Sequence, residues 1–92
     1  MMKTYLISYD LVGNKTIDDY ERLIRMIKSA STWAKPLASL WLIKTPLTAP
    51  QVRDHLRGVI ATNDKLLVIE VTRDWAAFNL PKEVIDWMNL NI

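Results

Sequence analysis

The chain has 92 residues, a formal net charge of +2 at pH 7 and no cysteine, and 50% of its residues are hydrophobic. This length predicts one domain spanning residues 1–92. The lack of cysteine excludes disulfides and thiolate metal sites, and no apolar run approaches the ~20 residues that cross a bilayer. We expect a cytoplasmic protein without a membrane partner. The small basic excess permits nucleic-acid contact without requiring it.

The first predicted strand covers residues 3–10, which are rich in β-branched and aromatic side chains and precede a Gly-Asn pair. Because side chains alternate along a strand, Tyr5, Ile7 and Tyr9 share one face. Asp10 is the last residue on the opposite face. Asp10 has two interpretations. It starts a loop by accepting a nearby backbone N–H, or it is a chemical group at the sheet end where ligands gather.

Thr16 is the predicted N-cap of a first helix over residues 17–30, whose apolar residues recur at helical spacing. Arg22, Arg25 and Lys28 form a basic flank on this helix. Such a flank is either a solvated helix face or a surface that binds phosphates.

Pro36 cannot donate to a strand ladder, so the extended piece at residues 33–35 is predicted to be an edge strand or a bend. Residues 39–45 are apolar on both faces, which indicates a central strand. A second helix opens with a capping box, in which Thr48 is the N-cap and Gln51 follows three residues later.

The last predicted strand covers residues 65–72, and a C-terminal helix covers about residues 81–89. The core at residues 3–72 then has the βαββαβ order of the ferredoxin-like fold. We predict an α+β domain with an antiparallel sheet, two helices on one face, and a C-terminal extension over residues 73–92 that includes the added helix.

One face of this sheet is predicted to pack on the two helices. Its residues would be Tyr5, Ile7, Tyr9, Trp41, Ile43, Leu67, Ile69 and Val71. The opposite face would then carry five apolar side chains, from Leu6, Leu40, Leu42, Leu66 and Val68. A monomer rarely leaves such a patch in water, so either the C-terminal helix or a second subunit covers it. We predict a homodimer through this face, which Leu42→Asp would weaken.

Two segments resemble a known family. Residues 5–11, Tyr-Leu-Ile-Ser-Tyr-Asp-Leu, resemble the first strand of the CRISPR-associated Cas-two proteins, and residues 39–41, Ser-Leu-Trp, resemble their Ser-aliphatic-aromatic segment. The similarity covers about residues 3–72 and extends to small SinR-like bacterial relatives and, more distantly, to virulence-associated protein D toxins. The resemblance implies a homodimer that acts as a magnesium-dependent endonuclease on RNA or DNA, or as a bridge for an integrase.

The resemblance makes Asp10 the catalytic and metal-binding residue, and Tyr9 and Ser39 also match the motif. Family members commonly finish with a short strand exchanged across the dimer, whereas residues 75–92 here predict a loop and a helix. This departure argues against an integrase partner.

Two functions follow from these observations. In the first, Asp10 side chains from two subunits hold Mg²⁺ for an endonuclease, since this ion binds through one or two carboxylates plus substrate phosphate. In the second, the homodimer is a non-catalytic module that binds nucleic acid or protein. The predicted nucleic-acid contacts are Arg22, Arg25, Lys28, Lys44 and Arg53.

Overall fold

The computed structural model describes all 92 residues. Its elements are β1 (Lys3–Asp10), α1 (Ile17–Ile27), β2 (Thr32–Leu37), β3 (Leu40–Thr45), α2 (Ala49–Arg57), β4 (Lys65–Glu70) and α3 (Lys82–Asn91). The strands form one antiparallel sheet in the order β2-β3-β1-β4. The predicted ferredoxin-like α+β fold with an added C-terminal helix is confirmed.

Both main helices begin at the predicted caps. The Thr16 hydroxyl accepts from the backbone N–H of Asp19, whose carboxylate accepts from the Thr16 N–H at 2.9 Å. Thr48 and Gln51 form the second capping box. These reciprocal bonds satisfy N–H groups that a helix start leaves without partners. Helix α1 ends at Ile27, three residues before the predicted end.

The main core lies between the two helices and one face of the sheet. It contains Tyr5, Ile7, Leu23, Ile27, Trp41, Ile43, Val52 and Leu56. Ile7 and Leu23 are 0% exposed, and the buried Tyr5 hydroxyl donates to the Leu47 carbonyl at 2.6 Å. Burial of these side chains is the dominant favourable contribution to folding.

The C-terminal helix covers the centre of the second face. Leu42 is 3% exposed and forms a small core with Val84 and Met88. The Trp87 indole N–H donates to the Thr32 hydroxyl at 2.8 Å, which fastens α3 over β2. Of the two predicted covers, the chain's own helix occupies this position. The prediction that Leu42 lies in a dimer interface is therefore wrong.

Strand β4 faces the opposite way from the prediction. In the register with β1, Val68 pairs with Ile7, so Leu66 and Val68 turn towards the helices. Leu67 and Ile69 turn to the other face, where they are 52% and 48% exposed. Both sets are apolar, so alternation alone cannot decide which one is buried. Pairing with β1 decides it, because directly paired residues share a face.

Asp64 joins the loop after β1 to the loop before β4. Its carboxylate accepts the N–H groups of Val12 and Ala61, each at 2.8 Å, and lies 3.0 Å from the Lys15 ammonium. The side chain is only 2% exposed. The hydrogen bond from Val12, with the Ala61 and Lys15 contacts, holds the Asp64 pKa below its ordinary value of 3.8. This junction anchors the chain immediately before β4.

We expect Asp64→Asn to lower the thermal midpoint at neutral pH and to reduce the loss of stability in acid. A lowered folded pKa means that ionised Asp64 stabilises the fold above pH 3.8 and that this contribution is lost as pH falls through the folded value. Thermal unfolding between about pH 7 and about pH 2.5 measures it. Some acid sensitivity remains, because Asp19 and Asp54 also have lowered pKa values. Exposed Asp74→Asn is the control, and equal curves for both variants would contradict the assignment.

Candidate functional site

The Asp10 carboxylate lies exposed at the end of β1, where its register partner on β4 is Lys65. No ion pair or hydrogen bond of the chain involves this carboxylate. The loop-bonding role that was one interpretation of Asp10 belongs to Asp64, which accepts the Val12 N–H. Asp10 is thus available to a ligand.

The Asp10 carboxylate belongs to an uncovered strip of the second sheet face. This strip is formed by Ser8, Asp10, Leu67 and Ile69. Ser8 pairs with Leu67, so Asp10 is the diagonal neighbour of Leu67, and such neighbours lie roughly 7–8 Å apart. A surface depression of about 220 Å³ includes Ser8, Asp10 and Leu67. The strip therefore combines exposed apolar side chains with one free carboxylate.

A single copy of the chain does not build a metal site. No group of three or more His, Cys, Asp or Glu side chains is placed to hold an ion. Mg²⁺ takes oxygen ligands and keeps several waters, with one or two carboxylates and substrate phosphates completing its shell. Asp10 fits that chemistry as a single carboxylate beside substrate phosphates, and a second copy of the chain could supply another Asp10.

The two other motif residues do not adjoin the Asp10 carboxylate. Tyr9 faces the helices, and its hydroxyl accepts from the Trp41 indole N–H at 3.4 Å. Ser39 is exposed in the turn between β2 and β3. Because Ser8 pairs with Leu40, Ser39 and Asp10 lie at the same end of the sheet. Tyr9 therefore packs against the main core, and Ser39 lies at the sheet end that carries Asp10.

The five predicted nucleic-acid contacts do not form one surface. Arg22 is 2.6 Å from the Asp19 carboxylate, and Arg53 is 3.0 Å from that of Asp54. Lys44 lies on the face that α3 covers, near the end of that helix. Arg25 on α1 and Lys28, the C-cap residue of that helix, remain as exposed cations that take part in none of the ion pairs.

A basic–aromatic patch is formed by Lys28, Trp33, Lys35 and Trp41. Arg25 lies three residues before Lys28, on the same side of α1. The Lys28 ammonium lies 4.7 Å from the Trp33 ring centroid and 5.7 Å from that of Trp41. The Lys35 ammonium lies 5.1 Å from the Trp41 centroid. The two indoles are 5.4 Å apart and tilted by 60°. These distances are in the range of cation–π attraction.

Sequence reasoning assigned no function to Trp33, Lys35 or Trp41. A partial signal existed, because residues two apart on a strand share a face and Trp33 and Lys35 have that spacing. Their approach to Lys28 depends on how α1 packs against β2. Trp33 is 39% exposed, whereas Trp41 is 2% exposed and belongs to the core.

A cavity of about 410 Å³ lies between the second sheet face, the loop after β4 and α3. Its walls include Leu42, Trp75 and Met88, and Phe78 at its rim is 87% exposed. None of the lining residues is ionisable. The cavity therefore offers no acid–base or metal chemistry.

No protein-family model matches the chain, and no solved structure gives a significant match. None of its helices is long and apolar enough to span a bilayer. The fold and its surfaces define a ferredoxin-like α+β domain that has a free carboxylate at one strand end and a basic–aromatic patch at the β2 edge.

Proposed function

We propose that this protein is a homodimeric nucleic-acid-binding module of the Cas-two type. The observation that carries the proposal is the basic–aromatic patch, where Lys28 and Lys35, like the neighbouring Arg25, have no carboxylate partner. Unpaired cations are available to phosphates, and binding them releases the counterions of a nucleic acid. The resemblance of residues 3–72 to the Cas-two family supports the same class.

The uncovered strip supports the homodimer. Leu67 and Ile69 are exposed on β4, which is a free edge of the sheet. Exposed apolar sheet edges readily associate, and a two-fold interface uses the same surface on both copies. In the order β2-β3-β1-β4, the basic–aromatic patch lies at the opposite edge from β4. A dimer through β4 therefore leaves both patches open to a nucleic acid.

We expect salt-sensitive binding that a double substitution, Arg25→Gln with Lys28→Gln, weakens. Loss of two phosphate contacts should reduce the slope of log K against log salt by roughly 1.4 to 1.8. Fluorescence anisotropy of labelled oligonucleotides between about 50 and about 200 mM salt measures this slope.

The matched control is Arg22→Gln with Arg53→Gln, which removes two cations that already have carboxylate partners. It should leave the slope nearly unchanged. Affinity that does not vary with salt, or equal losses in the two double variants, would contradict the assignment of the patch.

A second candidate is the magnesium-dependent endonuclease, favoured by the free Asp10 carboxylate on the uncovered strip. Two Asp10 side chains, one from each copy, would hold the ion together with phosphate oxygens of the substrate. When bound, the ion supplies charge neutralisation and activation of water. Cleavage of single-stranded RNA or double-stranded DNA that requires Mg²⁺ or Mn²⁺ and stops with a chelator would favour this candidate over the binding module.

A further inference from the structure

Two cations of the basic–aromatic patch converge on one buried indole. The ammoniums of Lys28 and Lys35 lie 5.7 and 5.1 Å from the Trp41 centroid. No carboxylate of the chain pairs with either cation. Both positive charges are therefore available to an anion that binds beside this indole.

An exposed indole lies directly beside one of these cations. Trp33 is 39% exposed on the edge strand β2, and its ring is 4.7 Å from the Lys28 ammonium. A structural cation–π pair requires only the ring and one cation. A purely structural pair explains neither the second lysine, Lys35, on the neighbouring Trp41 ring nor the exposed part of Trp33. Together they offer an exposed aromatic surface with two positive charges nearby.

We infer that the basic–aromatic patch binds single-stranded nucleic acid, with a base against Trp33 and the flanking phosphates on Lys28 and Lys35. This inference rests on the proposed nucleic-acid binding and adds the kind of strand. The bases of a duplex already stack on each other, whereas a single strand can present a base face to an aromatic side chain. Stacking of this kind tolerates any base sequence.

The test uses the full-length protein and three labelled ligands: a mixed-sequence single-stranded DNA of about 12 nucleotides, the RNA of the same sequence, and the corresponding DNA duplex. Anisotropy titrations compare wild type, Trp33→Leu and Trp33→Phe. We expect single strands to bind more tightly than the duplex. Trp33→Leu should weaken single-strand binding about tenfold and duplex binding far less, whereas Trp33→Phe keeps a ring and most of the affinity.

Tyr20→Leu is the matched control, because Tyr20 is a 40% exposed aromatic residue on α1 outside the patch. It should bind as wild type does. Unfolding midpoints show whether each variant is folded. If Trp33→Leu is unstable, Trp33→Thr, which also removes the ring and suits an exposed strand, replaces it with the same expected loss.

The outcomes separate the inference from the proposed function. Failure of wild type to bind any of the three ligands overturns both. Equal wild-type affinity for single strands and duplex, with no effect of either Trp33 variant, overturns the inference and leaves nucleic-acid binding in place. The inference is supported if Trp33→Leu weakens single-strand binding while Trp33→Phe and Tyr20→Leu do not. In that case a preference between the RNA and DNA strands identifies the natural ligand, since RNA adds 2′-hydroxyl contacts.

Discussion

Leu42→Asp is expected to abolish stable folding of this domain. Leu42 is 3% exposed beneath α3, packed with Val84 and Met88. Removing a buried leucine costs about 2–5 kcal/mol, and an unpaired buried carboxylate adds a further penalty. Domains are stable by only about 5–15 kcal/mol. Urea unfolding followed by circular dichroism should show loss of the cooperative transition.

Leu67→Asp places the same charge on the same sheet face at a residue that is 52% exposed. We expect it to remain folded and to weaken self-association, which sedimentation velocity measures. If the Leu42→Asp protein folds stably but is monomeric, Leu42 would be assigned to the dimer interface instead. Severe destabilisation by Leu67→Asp would indicate that Leu67 is buried and would contradict its outward orientation on β4.

Asp10→Asn is expected to eliminate any metal-dependent cleavage. Asparagine keeps the size and one oxygen but loses the charge that attracts Mg²⁺. The fold should be unaffected, because the Asp10 carboxylate is exposed and takes part in no hydrogen bond or ion pair. Self-association should be unchanged or stronger, since two like charges near a two-fold axis repel each other.

Wild type and Asp10→Asn are compared at matched purity with single-stranded RNA and double-stranded DNA, in Mg²⁺, Mn²⁺ or a chelator. Asp74→Asn is the control, because it removes an exposed carboxylate outside this site. Equal cleavage by wild type and Asp10→Asn would assign the activity to another site or a contaminant. Folded dimers that bind but never cut would leave the binding module as the function.

Local chemistry made several features predictable from the sequence. The capping boxes at Thr16 and Thr48 depend on residues three positions apart. Pro36 lies in β2, which is an edge strand as its missing N–H requires. Asp10 was placed at a strand end because alternation and the following turn are both local signals.

The interpretation of single polar groups was less predictable. Asp10 is the last residue of β1, and Asp64 immediately precedes β4. From the sequence, the loop-bonding role is predicted only as an alternative for Asp10. The structure gives that role to Asp64, because the folded chain brings Val12 and Ala61 to it. Which carboxylate is buried in a loop junction depends on the approach of two loops that are distant in sequence.

Neighbouring residues encode the order of the elements, the starts of the main helices and the position of Asp10 at the end of β1. Tertiary packing places α3 over Leu42, turns Leu67 and Ile69 outward and brings Lys28 to Trp33. Each of these results depends on contacts between residues far apart in the chain. On a strand with two apolar faces, pairing with its neighbour selects the buried side.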